Sequence, residues 1–99
     1  MTDLEAQQVL VGVVTDWLAS QGNASKFVSR YWNTRSELLE SNPGAFDGPV
    51  ADDLSHMDVA LHSFWPKPES EGEIGEAELR TELGAFIEHL RTMGFPLIE

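Results

Sequence analysis

The stretch Val50-Ala51-Asp52-Asp53-Leu54-Ser55-His56-Met57-Asp58-Val59-Ala60-Leu61-His62-Ser63-Phe64 decides the fold. Its large apolar residues Val50, Leu54, Met57, Leu61 and Phe64 recur at steps of four, three, four and three. That alternation is a helical seam with heptad-like spacing, and it has none of the period of two that a half-buried strand requires. Asp47-Gly48-Pro49 precedes it as a turn that places Pro in the first helical turn. Trp65-Pro66-Lys67-Pro68 ends it, because proline cannot continue a helix. A seam this narrow needs other helices to cover it.

Three further segments supply them. Upstream, Ala6, Val9, Leu10, Val13, Val14, Trp17 and Leu18 form one broad helical face between about Thr2 and Ser20. Thr2 and Glu5 have the spacing of a capping box, and Gln21-Gly22-Asn23 stops the helix. A second helix spans about Ala24 to Ser41. Its apolar residues Phe27, Val28, Tyr31, Trp32, Leu38 and Leu39 fall largely in adjacent pairs, Asn23 is its N-cap, and Asn42-Pro43-Gly44 ends it. Tyr31 and Trp32 are neighbours, so one of them belongs at the rim of the core. Downstream, residues 66–73 are polar and rich in Pro and Gly and read as a loop. A fourth helix follows, with Gly75 at the cap, Glu78 at the third position, and Ile74 and Leu79 spaced as a hydrophobic staple. Its buried face is expected to be Leu79, Leu83, Phe86, Ile87, Leu90 and Met93, with Phe95, Leu97 and Ile98 folding back over the bundle end. The predicted fold is all-α, a four-helix, mostly antiparallel bundle in one domain spanning residues 1–99.

The 99 residues include 17 Asp plus Glu against 6 Lys plus Arg, a net charge of −11. An acidic chain is a poor ligand for nucleic acid, whose phosphates need a basic surface, and for anionic lipid. There is no cysteine, which removes disulfides, thiolate zinc sites and cysteine nucleophiles together. The acidic N-terminus lacks signal-peptide character, and the apolar run Val9 to Leu18 is broken by Gly12, Thr15 and Asp16. A cytoplasmic location is therefore expected, with a monomer or weak dimer as the oligomeric state.

The charge is lopsided. Residues 47 to 88 hold eleven acids against Lys67 and Arg80, a net of −9, while residues 1 to 46 carry only −2. Part of this is helix-end chemistry: Glu76 and Glu78 favour the dipole of a first turn, as do Asp52 and Asp53, and Glu76 can pair with Arg80. The loop acids Glu69, Glu71 and Glu73 have no such role beyond a contribution from Glu73. Their self-repulsion points to a basic partner. Asp47, Asp52, Asp53, Asp58, Glu69, Glu71 and Glu73 are the expected contact set. Two readings of Trp65 stand: a cap on the core, favoured by the general burial of Trp, or an exposed anchor of an interface.

Catalytic and cofactor motifs are not found. Asp52/His56 and Asp58/His62 are each four apart, which on a helix reads as weak ion pairs, since a third ligand and the His-Glu-x-x-His spacing are missing. His89 beside Glu88 supports nothing by itself. The Asp-Ser-Leu of phosphopantetheine carriers is absent, because Ser55 lies between Leu54 and His56. Asp52-Asp53-Leu54-Ser55-His56 lacks the alternating ligands and central Gly of a calcium loop. No cofactor, no metal and no enzymatic activity are expected.

Three stretches resemble the colicin D immunity family of self-protective colicin-like immunity proteins. They are Phe27-x3-Tyr31-x3-Arg35, then Leu61-His62-Ser63-Phe64 into Trp65-Pro66-Lys67-Pro68, then Ile74-Gly75-Glu76-Ala77-Glu78-Leu79-Arg80. The resemblance covers about residues 25 to 90. Gly75 stands where a Ser-like cap would be expected, and the first apolar segment has no counterpart in the pattern. The resemblance implies an antidote role: binding the nuclease domain of a bacterial toxin, an RNase or tRNase, and covering its basic active-site cleft with acidic side chains. The charge placement alone also fits a small acidic adaptor or regulatory module that binds a basic protein or peptide.

Overall fold

A computed structural model describes residues 2–20, 22–48, 50–65 and 74–96. It contains four helices: α1 (Asp3–Leu18), α2 (Ala24–Ser41), α3 (Ala51–Ser63) and α4 (Glu76–Thr92). α1 starts where the sequence predicts. The Thr2 amide donates to the Glu5 carboxylate and the Glu5 amide donates to the Thr2 hydroxyl, both at 3.1 Å. The Thr2 backbone amide first, and then the Thr2 side chain, hold the Glu5 carboxyl below its usual range. Asn23 caps α2 by accepting from the Lys26 amide. Gly75 and Val50 occupy the caps of α4 and α3 without a side-chain cap. The predicted first-turn Pro49 lies outside the described residues.

The helices form an antiparallel bundle. α1 packs on α2 and on α4, and α3 packs on α4. Arg80 near the start of α4 reaches Trp17 at the end of α1, while Gln8 near the start of α1 donates to the carbonyl of Pro96 beyond α4, so α1 and α4 run in opposite directions. α2 and α3 meet chiefly through side chains, described below.

The seam of α3 is buried as expected: Val50, Leu54, Met57 and Leu61 are in the core, with Phe64 packed against it. Tyr31 is fully buried and Trp32 lies at the rim. Two faces differ from expectation. In α1, Val11 is buried and Val9 is exposed. α1 touches both α2 and α4, so its buried stripe is wider and lies further round the helix than a one-sided pattern suggests. In α4, Leu79, Leu83, Ile87 and Leu90 complete the stripe, while Met93 is exposed because it lies at the C-cap on the flank shared with Phe86.

Two connections are sharply built. α4 ends in a Schellman motif: the Phe95 amide donates to the Leu90 carbonyl at 2.9 Å and the Gly94 amide to the Arg91 carbonyl at 3.0 Å. Gly94 has φ +84°, and Phe95 folds back into the core as predicted; Leu97 and Ile98 lie outside the described residues. Between α3 and α4, the Trp65 amide donates to the Ile74 carbonyl at 2.9 Å and the Ile74 amide to the Ser63 carbonyl at 2.8 Å. This isolated parallel bridge pins together the two ends of the 66–73 segment.

Substitution separates the two kinds of glycine. Gly94→Ala places a Cβ in a left-handed conformation and should cost about 1–2 kcal/mol. Gly84→Ala, inside α4 where an added Cβ meets nothing within 4 Å, should gain roughly 0.5–1 kcal/mol. Chemical denaturation measures both, and equal effects at the two positions would contradict the Schellman assignment.

Candidate functional site

The acids expected to form a contact set divide into three groups. Asp47 and Asp52 are exposed, and neither carboxylate has a hydrogen bond or ion pair among the described residues. Asp53 and Asp58 are engaged within the fold. Glu69, Glu71 and Glu73 lie outside the described residues.

Asp53 is 6% exposed and its Oδ1 lies 2.5 Å from His89 Nδ1 on α4. The helical period explains this: Asp53 is three residues after Val50 and adjacent to Leu54, so it falls on the inward stripe. A buried carboxylate needs a polar partner, and α4 supplies one from its half-exposed histidine. His89 therefore has a structural role that its neighbour in sequence does not suggest.

Asp58 lies on the flank of the α3 seam that faces α2. Its Oδ1 accepts from the Tyr31 hydroxyl at 2.7 Å and its Oδ2 pairs with Arg35 at 3.2 Å. Burial, and then this bond to Asp58, push the Tyr31 hydroxyl far above its ordinary pKa. The Arg35 guanidinium in turn lies 6.0 Å from the Trp32 ring centre and 5.4 Å from that of Phe46. The Asp–His pairs four apart on α3 do not form. His56 stacks on Phe86 with ring centres 5.8 Å apart, and His62 lies against Trp32 at 4.5 Å. Each histidine finds an aromatic on a neighbouring helix; Asp58 turns to Tyr31 and Arg35, while Asp52 has no partner among the described residues. No group of three or more His, Asp or Glu among the described residues could hold a metal ion.

Trp65 is 53% exposed. Its backbone is fixed by the bridge to Ile74 while its indole stands outside the core. Of the two readings of this residue, the core cap is the one the structure corrects: Phe64 takes that place, packed against the core one residue earlier. The indole immediately precedes the acidic 66–73 segment in the chain. On α4, Glu78 and Glu82 are exposed without an ion pair among the described residues, and these were not in the expected set. Glu76 does reach Arg80, at 3.9 Å.

The internal cations are largely spent. Arg35 is held by Asp58, and Arg80 lies 4.1 Å from the centre of the Trp17 ring while donating to the Trp17 carbonyl at 3.2 Å. Arg91, in the last turn of α4, pairs with Glu88 at 3.4 Å, and Lys26 and Arg30 lie on the outer side of α2. The α3–α4 half thus presents unpaired carboxylates and an exposed indole, and the cations of the described chain do little to neutralise them.

Comparison with known protein families, with curated proteins and with solved structures finds no match to this chain. No helix among the described residues is long and apolar enough to cross a membrane. Of the three stretches that carry the family resemblance, Phe27, Tyr31 and Arg35 make interhelical contacts, the second is described only from Leu61 to Trp65, and the third opens α4.

The Tyr31–Asp58 bond has a pH signature. The fold favours the neutral phenol, so its stabilising effect is present below the ordinary tyrosine pKa of about 10 and is lost as pH rises past it. Tyr31 is the sole tyrosine, so tyrosinate absorbance reports its ionisation directly. Ionisation should coincide with unfolding, and Tyr31→Phe should remove that part of the alkaline loss while costing about 1–3 kcal/mol near neutral pH. A phenol that titrates near 10 in the folded protein would contradict the assignment.

Proposed function

We propose that this chain is an immunity-type inhibitor that binds the nuclease domain of a bacterial toxin, an RNase or tRNase, and occludes its basic active-site cleft with an acidic surface. The observation that carries the proposal is Trp65, an indole 53% exposed on a rigidly pinned backbone. Exposed Trp is costly to keep in water and is enriched among the residues that dominate protein interfaces. It lies at the mouth of a segment containing Glu69, Glu71 and Glu73, in the half of the chain that carries −9 of the −11 charge. Carboxylates at Asp47, Asp52, Glu78 and Glu82, without an ion pair among the described residues, extend that field. Such a surface steers a basic partner, and the indole supplies the apolar contact that steering alone lacks. The three stretches similar to the colicin D immunity family select a toxin nuclease among basic proteins.

The test pairs the purified chain with a toxin nuclease domain sought among the genes adjacent to its own and follows RNA cleavage. Stoichiometric inhibition is expected. Trp65→Ala should weaken binding by about 2 kcal/mol, roughly thirtyfold, without lowering thermal stability, because the side chain is outside the core. Undiminished cleavage in the presence of excess protein would refute the proposal. Inhibition that survives Trp65→Ala unchanged would remove its main support.

A further inference from the structure

The protein holds two of its own arginines by one recipe. Arg35 lies near the rings of Trp32 and Phe46 and pairs with Asp58. Arg80 lies over the ring of Trp17 and reaches Glu76. In each case the guanidinium lies against an aromatic ring with a carboxylate within ion-pair distance, 3.2 Å for Arg35 and 3.9 Å for Arg80, the combination for which arginine is better suited than lysine.

A third set of the same elements lines an open groove of about 550 Å³ between α3 and α4. The stacked rings of His56 and Phe86 and the exposed thioether of Met93 form its apolar wall. Asp53, bonded to His89, lies in its floor, and the exposed Asp52 carboxylate stands at its edge without an ion pair among the described residues. No lysine or arginine is among the lining residues. The volume is within the range of small-ligand sites.

We infer that this groove receives an arginine side chain of the basic protein partner, its guanidinium stacked on the His56–Phe86 wall and paired with Asp52. The inference rests on the proposed basic partner but not on that partner's being a nuclease. The groove selects arginine through the planar aromatic wall, and Asp53, with one oxygen held by His89, adds negative potential beneath it. Together with Trp65 it provides a second, separate point of contact, on the α3–α4 face rather than at the bridge.

The experiment titrates the full chain with a capped tetra-arginine peptide and, in parallel, with a capped tetra-citrulline peptide, following backbone amide resonances by NMR. Citrulline keeps the shape and removes the charge. Saturable shifts centred on Asp52, His56, Phe86 and His89 are expected with the arginine peptide and not with citrulline. Asp52→Asn and Phe86→Leu, which retain fold and volume, should each weaken binding at least fivefold, about 1 kcal/mol. Shifts spread over Asp47, Glu78 and Glu82 with no centre at the groove, equal response to citrulline, or unchanged binding by both variants would each overturn the inference. The nuclease assay separates the two proposals. If the groove variants inhibit fully and the peptide does not bind there, the groove assignment fails and the inhibitor proposal stands. If the peptide binds the groove but cleavage is not inhibited, the converse holds.

Discussion

Trp17 is the contact on which the bundle depends. It is the penultimate residue of α1, 5% exposed, and three elements converge on it. Phe27 of α2 stacks on it with ring centres 4.3 Å apart and planes within 2°. The Arg80 guanidinium of α4 lies 4.1 Å from its ring centre. Two groups that close cannot share one face of an indole, so Trp17 is sandwiched between α2 and α4. Its Nε1 donates to the Gly22 carbonyl at 3.2 Å, so its polar atom is satisfied inside the connection it helps to shape. Its carbonyl accepts from Arg80, which places a cation at the C-terminus of α1, a helix with no basic residue in its own last turn. One residue thus fixes the α1–α2 turn, the α1–α4 crossing and the termination of α1.

The helical hairpins and the seam that joins them use different physics. α1 with α2, and α3 with α4, pack as apolar helical hairpins. Between α2 and α3 the contact is a polar and aromatic seam of Tyr31, Asp58, Arg35, Trp32 and His62. Such a seam specifies geometry more than it adds stability, since each buried polar group must first recover its lost hydration. It also consumes a cation of a chain that has few. The net effect, among the described residues, is an excess of carboxylates without an ion pair on the surface of α3 and α4.

Most of the helical architecture can be read from the residues. The seam of α3, the Thr2–Glu5 box, the Asn23 cap and the Gly94 stop are local signals, and local signals survive folding because their energetics involve only neighbours in sequence. What escaped was nonlocal. Val11 exchanged places with Val9 because α1 has two packing partners, a fact that no single-helix pattern contains. Asp53 and Asp58 looked like surface acids because their partners, His89 and Tyr31, are 36 and 27 residues away. A signal for Asp53 was nevertheless present: a charge at the i+3 position of an apolar stripe must find a partner. Gln7 carries the same signal beside Ala6 and Leu10, and it donates to the Ala45 carbonyl at 2.6 Å. Trp65 escaped for another reason, since Phe64 had already filled the end of the core.

An acidic surface anchored by an exposed indole makes a kinetic claim as well as a structural one. If the field of the α3–α4 half guides the partner, encounter must be sensitive to screening, and Trp65 must sense the docked state. The direct measurement is stopped-flow tryptophan fluorescence of association with the proposed toxin nuclease partner across ionic strengths from about 0.05 to 0.5 M, over which the Debye length shrinks from about 14 to about 4 Å. The account predicts an association rate constant that falls at least tenfold over that range, with much smaller changes in dissociation. A rate constant indifferent to salt would contradict it.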